Sequence, residues 1–542
     1  MLKKVALVAV CLGLSTSAMA QDAKTVIANA QKALGNPTSI TYSGSAKDVA
    51  FQQCGANATQ MNCQGTHDPM RPISNYVRVI DLSAPTSRHT GGTNNIGAGG
   101  STTVAPGTFF AQVTPQQADL SQPWNNSLEL YITPWGFLKG AAENNATVSK
   151  RSVDGRNYTV LSWSPAVKAP SGASYVVNGY LNDRNQIERI ETWVGENIMG
   201  DMHIVATYSG WKDFGGGAMA PAKIVQTRGG WPFFEVDVTA ARVNPTDLAS
   251  LAPAPAGRGG GAPGGGRAGA PGGPPGGRAG AAPGGAPGGA PGGGRAGAAP
   301  GGAPGGAPGA GRGGPGGPGG GAAAMTVQNE KLGDGVYRLT TGGGSYDSIL
   351  VDFKDHLMVI EAGGNEARAL AYIDAAKKLV PNKPIRYIVN THAHSDHTAG
   401  IPAFVAEGAT IVTHRNNQTF FERALNTPRT LLTDTLARNP KKAVVEPVDE
   451  KKVYTDGNRV VELHHIYPAP HSNGLLVAYF PKEKVLFQGD FSLPAAGQEA
   501  NDHVKALAAA LDKLKLDYER YINVHASAEP QTRAELLKAV GR

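Results

Sequence analysis

The sequence predicts two folded portions of different class, a β-rich α+β portion and then an α/β layered sandwich, joined by a long disordered segment. Residues 21–250 contain many short strand-like runs separated by turn signals. Residues 325–542 alternate strand-like and helix-like runs. Between them, segment 251–324 holds 34 of the 72 glycines and 14 of the 38 prolines. We therefore expect a signal segment at 1–20, domains at 21–250 and 325–542, and a linker at 251–324.

The linker consists almost entirely of Gly, Ala, Pro and Arg, without a strict Gly-X-Y period. Because it lacks large apolar side chains, it cannot offset the entropy of ordering and is predicted to be a solvated coil. A flexible spacer is the expected role, and a tether attracted to anionic cell-surface polymers is the alternative. The linker and residues 1–20 also carry the whole formal net charge of +7. Neither folded portion is therefore predicted to bind nucleic acid.

The N-terminus has the pattern of an export signal. Lys3 and Lys4 precede the apolar run Val5–Leu14, and Ala18-Met19-Ala20 offers a small-residue cleavage site. We expect cleavage after Ala20 and a periplasmic or secreted protein without a transmembrane segment.

Only two cysteines, Cys54 and Cys63, follow the predicted signal segment. They are close in sequence, and an oxidising compartment would join them. The sequence therefore predicts a disulfide bond between Cys54 and Cys63.

The portion at 21–250 is predicted to be an antiparallel sheet with one helix, Ser127–Asn144, interrupted or kinked at Pro134. Its strand-like runs are Thr41–Phe51, Tyr76–Leu82, Phe109–Val113, Tyr158–Trp163, Tyr175–Leu181, Ile187–Val194, His203–Tyr208, Ile224–Thr227 and Phe233–Val238. The successive hairpins, which end in Tyr208, Trp211, Pro221 and Ile224, faintly resemble the curved half-barrels of periplasmic lipoprotein carriers. The apolar face of such a sheet would cover either a helix or an apolar ligand.

The portion at 325–542 is predicted to have sheets inside and helices outside. Its predicted strands are Val336–Thr340, Ser348–Phe353, Leu357–Glu361, Ile385–Asn390, Thr410–Thr413, Val460–His465, Leu475–Phe480, Val485–Gln488 and Tyr521–Val524. Its predicted helices are Asn365–Leu379, Ala399–Glu407, His503–Leu514 and Thr532–Val540.

Three histidines and an aspartate follow the apolar strand Ile385–Asn390 in the run His392-Ala-His394-Ser-Asp396-His397. Side chains two apart in extended chain point to the same side, so His392 and His394 can converge. Imidazoles crowded with a carboxylate at a strand end are the ligands that Zn²⁺ prefers. The sequence therefore predicts a metal centre here.

This run resembles the His-x-His-x-Asp-His signature of the metallo-β-lactamase superfamily, and the resemblance covers residues 328–540. The later segments Pro468–His471, Val485–Asp490 and Asn523–His525 match that family's ligand segments in order. The resemblance implies an αββα sandwich with two divalent ions, expected to be zinc, with iron or manganese as alternatives. One ion would be held by His392, His394 and His471, the other by Asp396, His397 and His525, with Asp490 shared by both.

Such a centre predicts a hydrolase in which a metal-bound water becomes hydroxide near pH 7 and attacks the substrate. Asp396 would orient or deprotonate that water and is the expected catalytic residue. Two dications also need anionic ligands to relieve their repulsion, which Asp396 and Asp490 supply.

The chain departs from the family pattern at two places. Glu361 stands where a strand-end Asp usually supports a ligand histidine from behind, and Val524 and Ala526 replace the glycines around His525. We also expect His503 to be a surface residue.

The superfamily's substrates include β-lactams, lactones, thioesters, phosphodiesters and sulfate esters, so the fold alone does not fix the substrate. Asp490 stands where β-lactam-specialised members have Cys or Ser, which favours an ester, lactone, thioester or lactam hydrolase. The alternative is a periplasmic binding protein for an apolar ligand, with a catalytically degenerate metal-binding module. The sequence leaves the oligomeric state open.

Overall fold

The computed structural model describes residues 22–49, 70–97, 100–103, 124–251, 325–341, 346–494, 498–525 and 529–542. The predicted signal segment, Cys54, Cys63, the predicted strand Phe109–Val113 and residues 252–324 of the predicted linker lie outside these ranges. No helix among the described residues is long and apolar enough to cross a membrane.

The described N-terminal portion is mainly β-structure. Its elements are α1 (22–33), β1 (Ser39–Asp48), β2 (Arg71–Asp81), β3 (Thr86–Gly97), β4 (Gly100–Thr103), α2 (Asn125–Tyr131), α3 (Pro134–Glu143), β5 (Thr147–Val153), β6 (Arg156–Trp163), β7 (Val177–Leu181), β8 (Ile187–Glu196), β9 (Gly200–Ser209), β10 (Lys212–Asp213), β11 (Met219–Ala220), β12 (Lys223–Arg228), β13 (Trp231–Val243) and α4 (Leu248–Leu251). The predicted helix at 127–144 is two helices, α2 and α3, and the break falls at Pro134 as predicted.

Eleven of these thirteen strands form one antiparallel sheet, in the order β4-β3-β2-β1-β13-β12-β9-β8-β7-β6-β5, and β10 pairs with β11 in a separate hairpin. The β5–β6 turn is Asp154-Gly155, where φ is 49° and 76°, as a tight hairpin turn requires. Helices α2 and α3 cover the apolar face of the sheet. Phe137 of α3 packs directly on Gly179 of β7, where a Cβ would overlap its ring. A helix, one of the two expected occupants, therefore covers this part of the sheet.

The described C-terminal portion alternates strands and helices. Its elements are β14 (Val327–Gly333), β15 (Val336–Thr341), β16 (Tyr346–Asp352), β17 (Leu357–Ile360), α5 (Glu366–Leu379), β18 (Ile385–Val389), α6 (Ser395–Thr398), α7 (Ile401–Glu407), β19 (Thr410–His414), α8 (Arg415–Ala424), α9 (Thr435–Arg438), β20 (Val445–Val448), β21 (Lys451–Thr455), β22 (Val460–His465), β23 (Leu476–Phe480), β24 (Val485–Gln488), α10 (Asp502–Leu514), β25 (Arg520–Asn523), β26 (Gln531–Thr532) and α11 (Arg533–Ala539).

These elements form four layers. One sheet has the order β14-β15-β16-β17-β18-β19-β20 and the other β21-β22-β23-β24-β25-β26. Their facing sides share one apolar core, in which Ile360 and Val389 lie with Leu463 and Phe487. Helices α5 and α7 pack outside the first sheet, and α10 and α11 outside the second. The predicted αββα sandwich is confirmed.

The N-terminal and C-terminal portions are in direct contact through the loop that follows α8. The Asp201 carboxylate at the start of β9 accepts hydrogen bonds from Thr430 N and Oγ1 (2.9 and 2.6 Å) and from Leu431 N (2.9 Å). The Asp201 amide donates to Pro428 O at 2.6 Å, and Arg429 donates to Ile198 O at 3.4 Å. The two portions therefore share a specific polar interface.

Candidate metal centre

Several strands of the C-terminal portion end at one edge of the sandwich, and the predicted site residues follow them. Parallel β17 and β18 lead to Glu361 and His392, and parallel β24 and β25 lead to Asp490 and His525. Because parallel strands point their carboxyl ends in one direction, these side chains meet at the same edge.

One group of side chains brings together His392, His394, His471 and Asp490. His392 Nε2 lies 3.0 Å from His394 Nδ1 and 3.0 Å from His471 Nε2. Asp490 Oδ2 lies 2.8 Å from His471 Nε2 and 3.4 Å from His392 Nε2. All three histidines are buried.

A second group brings together Asp396, His397, His525 and Asp490. Asp490 Oδ1 lies 2.8 Å from His397 Nε2 and 2.9 Å from His525 Nε2. Asp396 Oδ2 lies 3.2 Å from His525 Nε2 and 3.6 Å from His397 Nε2. The Asp396 and His525 side chains are 41% and 36% exposed, so solvent reaches the centre on this side.

Asp490 belongs to both groups, and each of its oxygens faces a different one. Four ligand atoms about 2.0–2.1 Å from a tetrahedral ion lie about 3.3 Å from one another. The nitrogen and oxygen atoms in each group have separations close to this value, and imidazole with carboxylate is a donor set suited to zinc. Each group can therefore hold a metal ion, and the Asp490 carboxylate can join the two.

Glu361 supports both the motif loop and a candidate ligand. Its Oε2 lies 2.8 Å from His397 Nδ1, and its Oε1 accepts the Thr391 amide at 2.8 Å. The Glu361 side chain is fully buried, and its backbone has a φ of 76°, unusual for a residue with a side chain. Glu is one methylene longer than the Asp that the sequence resemblance led us to expect, and its carboxylate still contacts His397 Nδ1.

Tyr346 is a supporting residue that the sequence analysis missed. Its hydroxyl donates to Asp396 O at 2.6 Å, and its ring lies edge-on to His525 at 5.2 Å. Tyr346 is buried beneath the guanidinium of Arg368, 4.6 Å from the ring centre. It therefore fixes the backbone that carries Asp396.

The sequence analysis predicted that His503 is a surface residue, and this prediction is wrong. It is buried at the start of α10, and its ring lies 5.5 Å from that of His471. The amphipathic register of α10 turns this position inward, toward Phe491 and the site.

The histidines of the two groups differ in their pKa values. Burial and the nearby His397 lower the pKa of His392 to about 4, and burial lowers that of His394 as well. Burial alone would also lower the pKa of His397, but Asp490, Asp396 and Glu361 outweigh it and raise that pKa well above its usual value. The same competition, with Asp396 and Asp490 prevailing, raises the pKa of His525 to about 9.

The pKa values of the two candidate ligand carboxylates, Asp490 and Asp396, are lowered. Burial would raise the pKa of Asp490, but His397, His471 and His392 hold it well below its usual value. The pKa of Asp396 is lowered in the same way by His397 and His525. Both carboxylates are therefore ionised at neutral pH.

Part of the C-terminal portion is similar to a known protein family. Residues 341–525 match the model of the metallo-beta-lactamase superfamily. The matched residues lie within the C-terminal portion and include every residue of the two ligand groups.

A curated relative is the 2,4-dinitroanisole O-demethylase subunit alpha of Nocardioides sp. (strain JS1661), 24% identical over 152 residues. The match covers 28% of this chain and 42% of that relative's length.

Similar solved structures include a metallo-beta-lactamase from Pontibacter korlensis, 18% identical, with 40% of this chain and 97% of that chain covered and a TM-score of 0.31. The inverting sec-alkylsulfatase Pisa1 from Pseudomonas sp. is 16% identical, with 40% of this chain and 41% of that chain covered and a TM-score of 0.29.

Proposed function

We propose that residues 325–542 form a dinuclear metal-dependent hydrolase, with zinc as the expected ion, that acts on an ester, lactone, thioester or β-lactam bond. The observation that carries the proposal is the placement of Asp490, whose two oxygens face two separate ligand groups. A carboxylate between two groups of imidazoles is suited to holding two dications close together.

Bound dications would supply a nucleophile at neutral pH and polarise the oxygen of the bond under attack. In the first group, buried His392 and His394 are neutral at pH 7, so their nitrogen lone pairs are available as ligands. In the second group, the ionised and partly exposed Asp396 faces the solvent side, where it can orient a water or take its proton. Glu361 and Tyr346 hold His397 and the Asp396 backbone in place from behind.

The experiment is a turnover panel on the full chain with a lactone, a β-lactam, a thioester and a phosphodiester, with and without a chelator. An aryl methyl ether belongs in the panel because the curated relative is an O-demethylase subunit. The proposal expects turnover of an acyl substrate that the chelator abolishes and added Zn²⁺ restores.

His394→Ala should abolish that turnover, whereas His464→Ala is a matched control. His464 is equally buried but is bonded to Glu462 and belongs to neither group. Turnover that survives the chelator, or that both variants lose equally while both stay folded, would contradict the proposal.

We also propose that the protein is exported, with cleavage after Ala20 and a bond between Cys54 and Cys63. The charged and apolar pattern of residues 1–20 supports export. Mass spectrometry of the protein recovered from a periplasmic fraction should give an N-terminus at Gln21 and no thiol that reacts after denaturation. An uncleaved N-terminus or two reactive thiols would contradict this part.

A second candidate function, binding of an apolar ligand, is supported by a cavity of about 370 Å³ in the N-terminal portion. The cavity lies between α1 and α3 and is lined by Leu34, Trp135 and Leu138. Saturable binding of a fatty acid by a catalytically inactive full chain would favour this function over hydrolysis.

A further inference from the structure

A cavity of about 480 Å³ lies where the N-terminal sheet meets α8 and the loop after it. Trp193, His203 and Trp231 line it from the sheet, and Arg423 and Pro428 line it from the other side. Its volume is in the range of pockets that hold small ligands, about 300–1,000 Å³. No residue of either metal group lines it, so the inference does not rest on the proposed hydrolase.

The walls of this cavity are aromatic. The Trp193 and His203 rings are stacked, with centroids 4.7 Å apart and an angle of 10° between their planes. The guanidinium of Arg423 lies 4.4 Å from the centre of the Trp231 ring. Buried Met199 and Met202 complete the apolar lining. Such walls favour a flat ring system that can stack against them.

The available charge in the cavity is positive. Arg423 is exposed, and among the residues that the structure describes no carboxylate lies within ion-pair distance of it. The Asp201 carboxylate also lines the cavity, but Thr430 and Leu431 already donate three hydrogen bonds to it. A guanidinium without a carboxylate partner is a strong hydrogen-bond donor for an anionic group.

The backbone makes room for this guanidinium. Gly229 and Gly230, in the turn before β13, have φ values of 55° and 84°. A Cβ on Gly230 would overlap the Arg423 side chain, so the guanidinium can lie over Trp231 only because glycine stands there.

We propose that this cavity is a second ligand site, which takes a planar aromatic molecule carrying a carboxylate or a similar anionic group. The rings would stack on Trp193 and Trp231, and the anionic group would accept hydrogen bonds from Arg423. Because both portions of the chain supply its walls, the bound molecule would join them.

The test is isothermal titration calorimetry of the full chain with three probes. 2-Naphthoate has both the flat aromatic rings and the negative charge. 2-Naphthamide has the aromatic rings without the charge, and decahydro-2-naphthoate has the charge on saturated rings that are not flat. We expect saturable binding of 2-naphthoate and binding at least about tenfold weaker for each of the other two. This ranking on the wild-type chain tests the proposal without any variant.

Arg423→Met keeps an unbranched apolar stem and removes the charged guanidinium, so it should weaken 2-naphthoate about tenfold and leave 2-naphthamide unchanged. Arg386→Met is the matched control, because Arg386 lies over Tyr387 at 5.3 Å and does not line the cavity. Asp490→Ala should keep full binding, which separates this site from a carboxylate bound at a metal.

Three results would overturn the proposal. They are the absence of saturable binding to the wild-type chain, unchanged 2-naphthoate affinity in folded Arg423→Met, and loss of 2-naphthoate binding in Asp490→Ala.

Discussion

The two metal groups should load in a fixed order, because their histidines differ in charge before metal arrives. His392 and His394 have lowered pKa values, so they are neutral at pH 7 and bind an ion without losing a proton. His397 and His525 have raised pKa values and are protonated at pH 7, so an ion must displace those protons. The first group should therefore fill first.

The size of the effect follows from His525. A group whose pKa is about 9 is deprotonated in about 1% of molecules at pH 7, which would weaken the second ion about 100-fold. The His525 side chain is 36% exposed, however, and solvent screening reduces that penalty. Affinity rises tenfold per pH unit for each proton that binding displaces, so the protons on His397 and His525 together predict up to about 100-fold tighter binding of the second ion for each unit of rising pH between 6 and 8.

The assay is isothermal titration calorimetry of the chelator-treated full chain with Zn²⁺ in two buffers that differ in ionisation enthalpy. The second binding event should release about two more protons than the first, and His525→Ala should reduce that difference by about one. Equal proton release in the two events, or a second affinity that does not change with pH, would refute the assignment of charges.

Two further changes test the supports of the site and of the interface. Glu361→Gln removes the charge behind His397 and should weaken the second ion about 10–100-fold, measured by competition with a chelator; an unchanged affinity would mean that Glu361 does not support His397. Asp201→Asn should lower the free energy of unfolding by about 1.5–3 kcal/mol, because charge-assisted bonds to Thr430 and Leu431 are lost. Asp183→Asn, at an exposed turn, is the control for denaturant unfolding, and equal effects of the two would contradict the interface.

The sequence was sufficient to predict the C-terminal fold and to name the residues that the structure gathers into the two groups of candidate ligands. The reason is that ligand chemistry is restricted to few residue types, and that His392–His397 follows a strongly apolar strand. Strands missed by the sequence analysis include β5 and β14, which are at the edges of their sheets. Their residues are mostly exposed, so they lack the apolar alternation from which strands are predicted.

Tyr346, His503 and the Asp201 interface were missed for a different reason. Their roles depend on contacts between residues far apart in sequence, such as Asp201 with Thr430. A tyrosine in a strand or an aspartate in a hairpin has many ordinary uses, and only the folded arrangement distinguishes them. The same is true of Arg423, whose neighbour Trp231 lies on the other portion of the chain.

The most direct test of a dinuclear centre is the metal content per chain of wild type and Asp490→Ala after equal dialysis. Asp490→Ala removes one negative charge and a ligand from both groups, so two ions in wild type should fall to one or none, with loss of turnover. Asp502→Ala, an exposed carboxylate in the first turn of α10, should retain two ions and serves as the control. Two ions and full turnover in Asp490→Ala would contradict the bridging role of Asp490 and the dinuclear mechanism with it.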